Sequence, residues 1–218
     1  MFIIMVLVSH TRKFIYIKNL KVAGTSVEAF FEKYCVKPQI GYITEDATKK
    51  KESAYGIVGD RTGYPGTELW YDHMPASEIK NLLGDNIFNQ YTKFCVVRNP
   101  YDKMVSLFHF FGGKVDGNLK ENFKKYCIQN SSSDLNRITI DGKFICDIFI
   151  RYENLENDLV IVCNKLGLNE CNIKDLPKFK SSSRDRSISS YREYYDEETK
   201  KIVYDKHKEE FEYFGYQF

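Results

Sequence analysis

The chain has 218 residues, 43% hydrophobic, 28% charged and 15% aromatic, a balance that excludes intrinsic disorder and suffices for one domain of ordinary size. A net charge of +2 excludes a global basic field for nucleic acid or membrane, so any anion site must be built locally from a few Lys, Arg and backbone amides. No stretch has the length of a membrane span. The apolar start, Met1–Val8, lacks the basic lead and cleavage site of a signal peptide.

In chain order, Phe2–Val8 and Phe14–Ile17 read as strands joined by a turn at Ser9–Lys13, and Asn19–Gly24 as a loop. A helix follows, capped by Thr25 or Ser26, with Val27, Phe30, Phe31, Tyr34 and Cys35 on one face and Glu28 at its positive end. Tyr42–Glu68 is polar and reads as a long surface excursion. Pro75–Leu83 reads as a short helix stopped by Gly84. Phe94–Val97 is a buried strand, Tyr101–Phe111 a helix closed by Gly112–Gly113, and Ser131–Asp134 a loop. Phe149–Tyr152 is a further strand, Leu155–Leu166 a helix, Pro177–Ser190 a basic Ser-rich loop and Asp196–Phe214 the last helix.

Strands alternating with helices predict an α/β fold: a single domain over 1–218, with one core and a central parallel sheet flanked by helices. None of the six cysteines (Cys35, Cys95, Cys127, Cys146, Cys163, Cys171) forms a C-x-x-C or stands at zinc-ligand spacing from a histidine. All six read as reduced thiols, which favours a cytoplasmic setting. The lysine runs Lys49–Lys51 and Lys124–Lys125 read as solvated faces.

Two segments carry chemistry. In the first, a strand enters a short loop holding Lys21 and Gly24 and then a helix opened by Thr25 and Ser26. Unpaired helical N–H groups and the helix dipole favour an anion there, and Gly24 allows close backbone approach. Lys21 supplies a point charge, and the hydroxyls supply donors. An ordinary capped helix with a surface lysine is the equal alternative. The G-x-x-x-x-G-K-[ST] pattern of nucleotide-triphosphate loops is missing. In the second segment, Arg98 ends a strand at the carboxyl edge of the sheet and Ser106 lies about two helical turns further on, a pairing able to hold a second phosphate. By itself this segment reads better as Arg98 paired with Asp102.

Taken together, Leu20-Lys-Val-Ala-Gly-Thr-Ser26 and Arg98-Asn-Pro-Tyr-Asp-Lys-Met-Val-Ser106 make the chain resemble the sulfotransferases that use 3′-phosphoadenosine 5′-phosphosulfate (PAPS), in the compact branch related to carbohydrate sulfotransferases. The likeness extends to Arg151–Leu155, Tyr194–Asp196 and Glu212–Tyr216; Leu20, Val22 and Lys103 depart from the usual Pro, Thr and Arg. The resemblance implies a P-loop-like sulfotransferase fold. It implies that Lys21, Ala23, Gly24, Thr25 and Ser26 hold the 5′-phosphosulfate and that Arg98 and Ser106 hold the 3′-phosphate. Arg184, with Ser182 beside it, is the contact it implies from the basic loop Lys178–Arg192. PAPS is then the donor and 3′-phosphoadenosine 5′-phosphate (PAP) the product, and no metal is required. The acceptor is a hydroxyl of a glycan or another small compound, with no nucleic acid or membrane partner; the oligomeric state stays open.

Sulfuryl transfer needs a base for that hydroxyl, and a neutral imidazole suits it. Of the four histidines, His73 stands in a loop just before a helix, between the two phosphate motifs, as in related sulfotransferases. His73 is the expected base, with Lys21 stabilising the leaving oxygen. A loop-fixing hydrogen bond is the alternative role for His73. Asp72 or Glu78 is a candidate to orient or tune it, which spacing does not show. Trp70 and Tyr191–Tyr195 are either stacking surfaces or core. The competing functions are sulfation of a tyrosine or small metabolite, a non-catalytic nucleotide-binding module, and phosphoryl transfer.

Overall fold

A computed structural model of the chain describes residues 6–37, 51–59, 69–113, 117–177, 179 and 190–218. The strands are β1 (Leu7–Ser9), β2 (Phe14–Ile17), β3 (Lys51–Ser53), β4 (Gly56–Val58), β5 (Thr92–Val97), β6 (Thr139–Ile140), β7 (Lys143–Phe144) and β8 (Ile148–Arg151). The helices are α1 (Gly24–Glu32), α2 (Ala76–Gln90), α3 (Pro100–Phe110), α4 (Leu119–Gln129), α5 (Leu135–Ile138), α6 (Leu155–Lys165), α7 (Glu197–Lys206) and α8 (Lys208–Phe214). The protein is α/β, and its described residues fall into two compact units, 1–97 with 135–179 and 98–134 with 180–218.

The first unit holds a six-stranded sheet in the order β3-β4-β1-β2-β5-β8. β2, β5 and β8 are parallel, whereas β1 pairs antiparallel with β2 and β4, and β3 antiparallel with β4. The sheet is therefore mixed, where a parallel one was expected. The links 10–13 and 54–55 are too short for a crossover and reverse the chain into hairpins. The β3–β4 hairpin lies inside Tyr42–Glu68, read from sequence as irregular; 42–50 and 60–68 lie outside the described residues, as do 1–5 of the first expected strand.

All four residues of β2 are fully buried, as befits a strand covered on both faces. Val27, Phe30, Phe31, Tyr34 and Cys35 are buried as their spacing predicts, the last two in the turn after α1. Phe31 packs on Phe94 and Phe14 with ring centroids 5.0 and 5.7 Å apart. α6 adds Leu159, Val162 and Cys163 to this core. The turn after α6 returns the chain on itself, and Cys163 and Cys171 are joined in a disulfide with Cα atoms 6.3 Å apart. The expectation of six reduced thiols fails for this pair, so the thiol count no longer argues for a cytoplasmic setting. Gly84 (φ 77°, ψ 155°) kinks α2 where it was expected to end it.

The second unit has its own apolar cluster, where the sequence pointed to a single core. Met104, Val105 and Phe108 of α3 meet Phe123 of α4 together with Tyr194, Tyr195 and Phe211. The long final helix is two helices, broken at His207, whose buried ring bonds Glu210 Oε2 at 2.8 Å. Lys103 is buried and ion-paired with Asp134, also reaching the Ser132 carbonyl. Among the described residues, no helix is long and apolar enough to cross a membrane.

α3 begins on a local device. Asn99 Oδ1 accepts the Tyr101 N–H at 3.0 Å, Pro100 occupies the first helical position, and Asn99 Nδ2 donates to the Gln217 carbonyl at 2.7 Å. Asn99→Ala is expected to cost about 1–2 kcal/mol of unfolding free energy, as for other lost caps. Asn99→Asp, which keeps the cap acceptor and loses the donor, should fall between the two in urea titrations.

Candidate functional site

The loop after β2 is built around Lys18. Its amine donates to Glu28 Oε2 at 2.6 Å, and the two side chains are only 2% and 1% exposed. Glu28 therefore serves a buried lysine, and the first turn of α1, where it was expected to sit, holds no acidic residue. Gly24 lies over the lysine stem: a Cβ there would stand 2.4 Å from Lys18 Cε and 2.9 Å from Cγ. A side chain at position 24 would press on the buried lysine, a reason for glycine beside the ligand approach that the sequence suggested. Asn19 Nδ2 donates to the Val96 carbonyl at 2.9 Å and ties the loop to the end of β5.

Above this pair the backbone alternates in hand. Lys21 (φ 56°) and Ala23 (φ 57°) are left-handed, and Val22 between them is not. Left-handed residues spaced in this way are one ingredient of the backbone concavities that receive anions. The segment runs into the N-terminus of the nine-residue helix α1, whose dipole favours an anion there. Left-handed φ at non-glycine residues is uncommon and gathers at functional sites. Ala23 is the helix N-cap, with no side-chain cap, so neither Thr25 nor Ser26 caps the helix as expected. Thr25 is half-exposed; Ser26 is buried and its Oγ accepts the Phe179 N–H at 3.2 Å, which leaves its O–H as a donor. Phe179 opens the expected basic loop; Ser182 and Arg184 lie outside the described residues.

His73 closes on the same loop. Its backbone is left-handed (φ 53°), and its Nδ1 lies 3.1 Å from the Lys18 carbonyl. A carbonyl only accepts, so Nδ1 carries the proton and the neutral ring has its lone pair on Nε2. Asp72 Oδ1 stands 3.4 Å from Nε2. Burial pushes the Asp72 carboxyl up to about 7, with Glu28 adding to the rise and Lys18, the His73 N–H and Arg137 opposing it. Glu78 instead accepts the Tyr71 hydroxyl at 2.6 Å, and burial together with that bond raises the Tyr71 phenol. The other histidines have different partners: His10 Nδ1 is 3.0 Å from Tyr91 Oη, His109 Nε2 is 2.6 Å from Tyr194 Oη, and His207 bonds Glu210.

In the second unit Arg98 pairs with Asp102, its Nε and one terminal nitrogen each 2.6 Å from Oδ2. The pairing that the sequence offered as the alternative role is present, and it also orients the guanidinium. Ser106 is buried on α3. Trp70, Tyr194 and Tyr195 are buried in the core, while half-buried Tyr191 carries the Arg192 guanidinium 4.8 Å above its ring. Lys124 pairs with Glu198 and Lys125 with Glu121, in keeping with a solvated face. Among the described residues, no group of three or more His, Cys, Asp or Glu is placed to share a metal ion.

Of the residues that the sequence pointed to, Lys21, Ala23, Gly24, Thr25, Ser26 and His73 belong to the first unit, and Arg98 and Ser106 to the second. Sequence reasoning missed the pairing of Lys18 with Glu28, because a lysine ten positions from a glutamate has no local signature of pairing. A protein of Archaeoglobus fulgidus described as uncharacterized is 34% identical over 103 residues, spanning 44% of this chain and 85% of that protein. No family model matches the chain, and no solved structure matches it.

Removing one partner of a buried ion pair strands the other charge. Lys18→Met or Glu28→Leu alone is expected to cost about 3–5 kcal/mol, with much of the loss recovered in the double variant, as read by denaturant unfolding. Gly24→Ala should be destabilising too, because its Cβ displaces the lysine from Glu28. Asp72 gives a pH signature. A carboxyl raised to about 7 is protonated more tightly in the folded chain than in the unfolded one, so its contribution is fully present below about 3.8 and lost as pH rises through about 7. Asp72→Asn should flatten the slope of unfolding free energy against pH across that window, and an unchanged slope would contradict the assignment.

Proposed function

The chain belongs to the family of that archaeal protein, and we propose that it is a PAPS-dependent sulfotransferase of P-loop-like fold, transferring to a hydroxyl of a glycan or another small hydroxyl compound. The observation that carries this reading is the alternating backbone at Lys21–Ala23, opening onto the N-terminus of α1. It is a receptor for a phosphate-like anion made of main-chain donors, and it needs no G-K-[ST] signature.

A second observation supports it. β2 and β5 are adjacent parallel strands, so their carboxyl ends open on one edge of the sheet, where α/β folds bind ligands. The Lys21 loop follows the first of these strands.

When bound, the donor supplies the activated sulfuryl group. Lys21, Ala23, Gly24, Thr25 and Ser26 hold its 5′ end through backbone N–H groups, two hydroxyls and one ammonium. Lys21 also faces the charge that develops on the leaving oxygen. Arg98, oriented by Asp102, takes the 3′-phosphate with Ser106, and the resemblance adds Ser182 and Arg184, which lie outside the described residues. His73 accepts the proton of the acceptor hydroxyl at Nε2, since Nδ1 is committed to the Lys18 carbonyl.

Calorimetric titration without Mg²⁺ tests the reading. Adenosine 3′,5′-bisphosphate should bind in the micromolar range, and ATP and 5′-AMP should bind more weakly. Arg98→Ala should weaken the bisphosphate about 10- to 100-fold, the ~1.5–3 kcal/mol of a hydrogen bond to a charged group. His73→Ala should leave that affinity intact and slow transfer about 10²- to 10⁴-fold. Failure to bind the bisphosphate, or a preference for Mg-ATP, refutes the reading.

A further inference from the structure

Resting on the sulfotransferase reading, we propose that Asp72 is the proton partner of His73: a positioning residue whose carboxylate shares the proton that Nε2 takes from the acceptor hydroxyl. As that O–H bond breaks, its electron pair enters the new O–S bond. The electron pair of the broken S–O bond departs on the phosphate of the bisphosphate product.

Three observations place Asp72 in this role. Its Oδ1 is buried, without a hydrogen-bond partner, and 3.4 Å from His73 Nε2. The left-handed turn at His73 accompanies this approach, and the Lys18 carbonyl fixes the other ring nitrogen, so the ring cannot present Nδ1 as the base without losing that bond. Glu78, the other candidate carboxylate, is engaged by the Tyr71 hydroxyl.

The surroundings suit a proton that moves. Lys18 from the loop after β2 and Arg137 from α5 favour the Asp72 anion, while burial and Glu28 from α1 oppose it. These influences leave the Asp72 carboxyl raised to about 7, so it can hold or release a proton near neutral pH. Once Nε2 is protonated, a facing carboxylate stabilises the imidazolium by direct charge pairing.

The test is an NMR titration of the His73 ring, assigned by its loss in His73→Gln and run without nucleotide. In Asp72→Asn the midpoint should fall by about one pH unit or more, because the neighbouring anion is gone. Asp72→Ser serves as the second variant if the first does not fold. A midpoint that stays where it is, or rises, overturns the pairing. With turnover on an accepted hydroxyl, the acid limb of kcat/KM should move to lower pH by the same interval; a limb that stays put while the NMR midpoint moves removes Asp72 from the reaction. Adenosine 3′,5′-bisphosphate calorimetry on the wild-type chain keeps the two ideas apart. Absence of binding refutes the sulfotransferase reading, whereas the NMR shift alone decides the pairing.

Discussion

A lysine amine buried against a carboxylate organises the loop after β2. Moving either charge out of water costs several kcal/mol, and Lys18 and Glu28 offset that cost for each other at 2.6 Å. The pair constrains everything nearby. It brings α1 down onto the loop, and it leaves room only for a glycine at position 24. The Lys18 carbonyl in turn bonds the His73 ring, so one residue anchors both the loop and the imidazole. The left-handed residues Lys21 and Ala23 lie between these anchors, where packing sustains a conformation that each disfavours alone.

The same economy appears in the second unit. Within Arg98–Ser106, Asn99 caps α3, Pro100 starts it, Tyr101 enters the aromatic core, Asp102 holds Arg98, and Lys103 is buried on Asp134. A segment that reads as a binding motif is at the same time the start of a helix and part of a core. Residue type does not separate these duties, because a guanidinium oriented by a carboxylate is both a structural pair and a prepared anion receptor.

Much of the fold was legible because periodicity reports burial directly. The faces of α1 and α3 and the buried run of β5 all follow from apolar spacing. α4 was missed because Phe123 and Cys127 are its only buried residues among charged neighbours. The hairpin β3–β4 was missed because Lys51–Ser53 and Gly56–Val58 are too short to show alternation. The parallel sheet was over-read for a related reason: alternating strands and helices imply crossovers, but the antiparallel pairs β1–β2 and β3–β4 depend on two short links. Around the loop after β2, Lys21, Gly24 and His73 were visible as residue types in a suggestive order and Asp72 as one of two carboxylates near His73 in the chain, while Lys18 and its pairing with Glu28 were not visible.

The amino-acid sequence by itself determined an α/β chain, its main strands and helices, and the local segments able to meet an anion, since these rest on spacing within one element or one turn. Tertiary structure alone decided the mixed sheet, the second apolar cluster, the bond between Cys163 and Cys171, and the reason for Gly24. It also decided which carboxylate faces His73, choosing Asp72 and giving Glu78 to Tyr71. The physical reason is common to all of these: a hydrogen bond, an ion pair or a desolvated carboxyl depends on distances and burial between segments remote along the chain, and composition and periodicity carry no record of either.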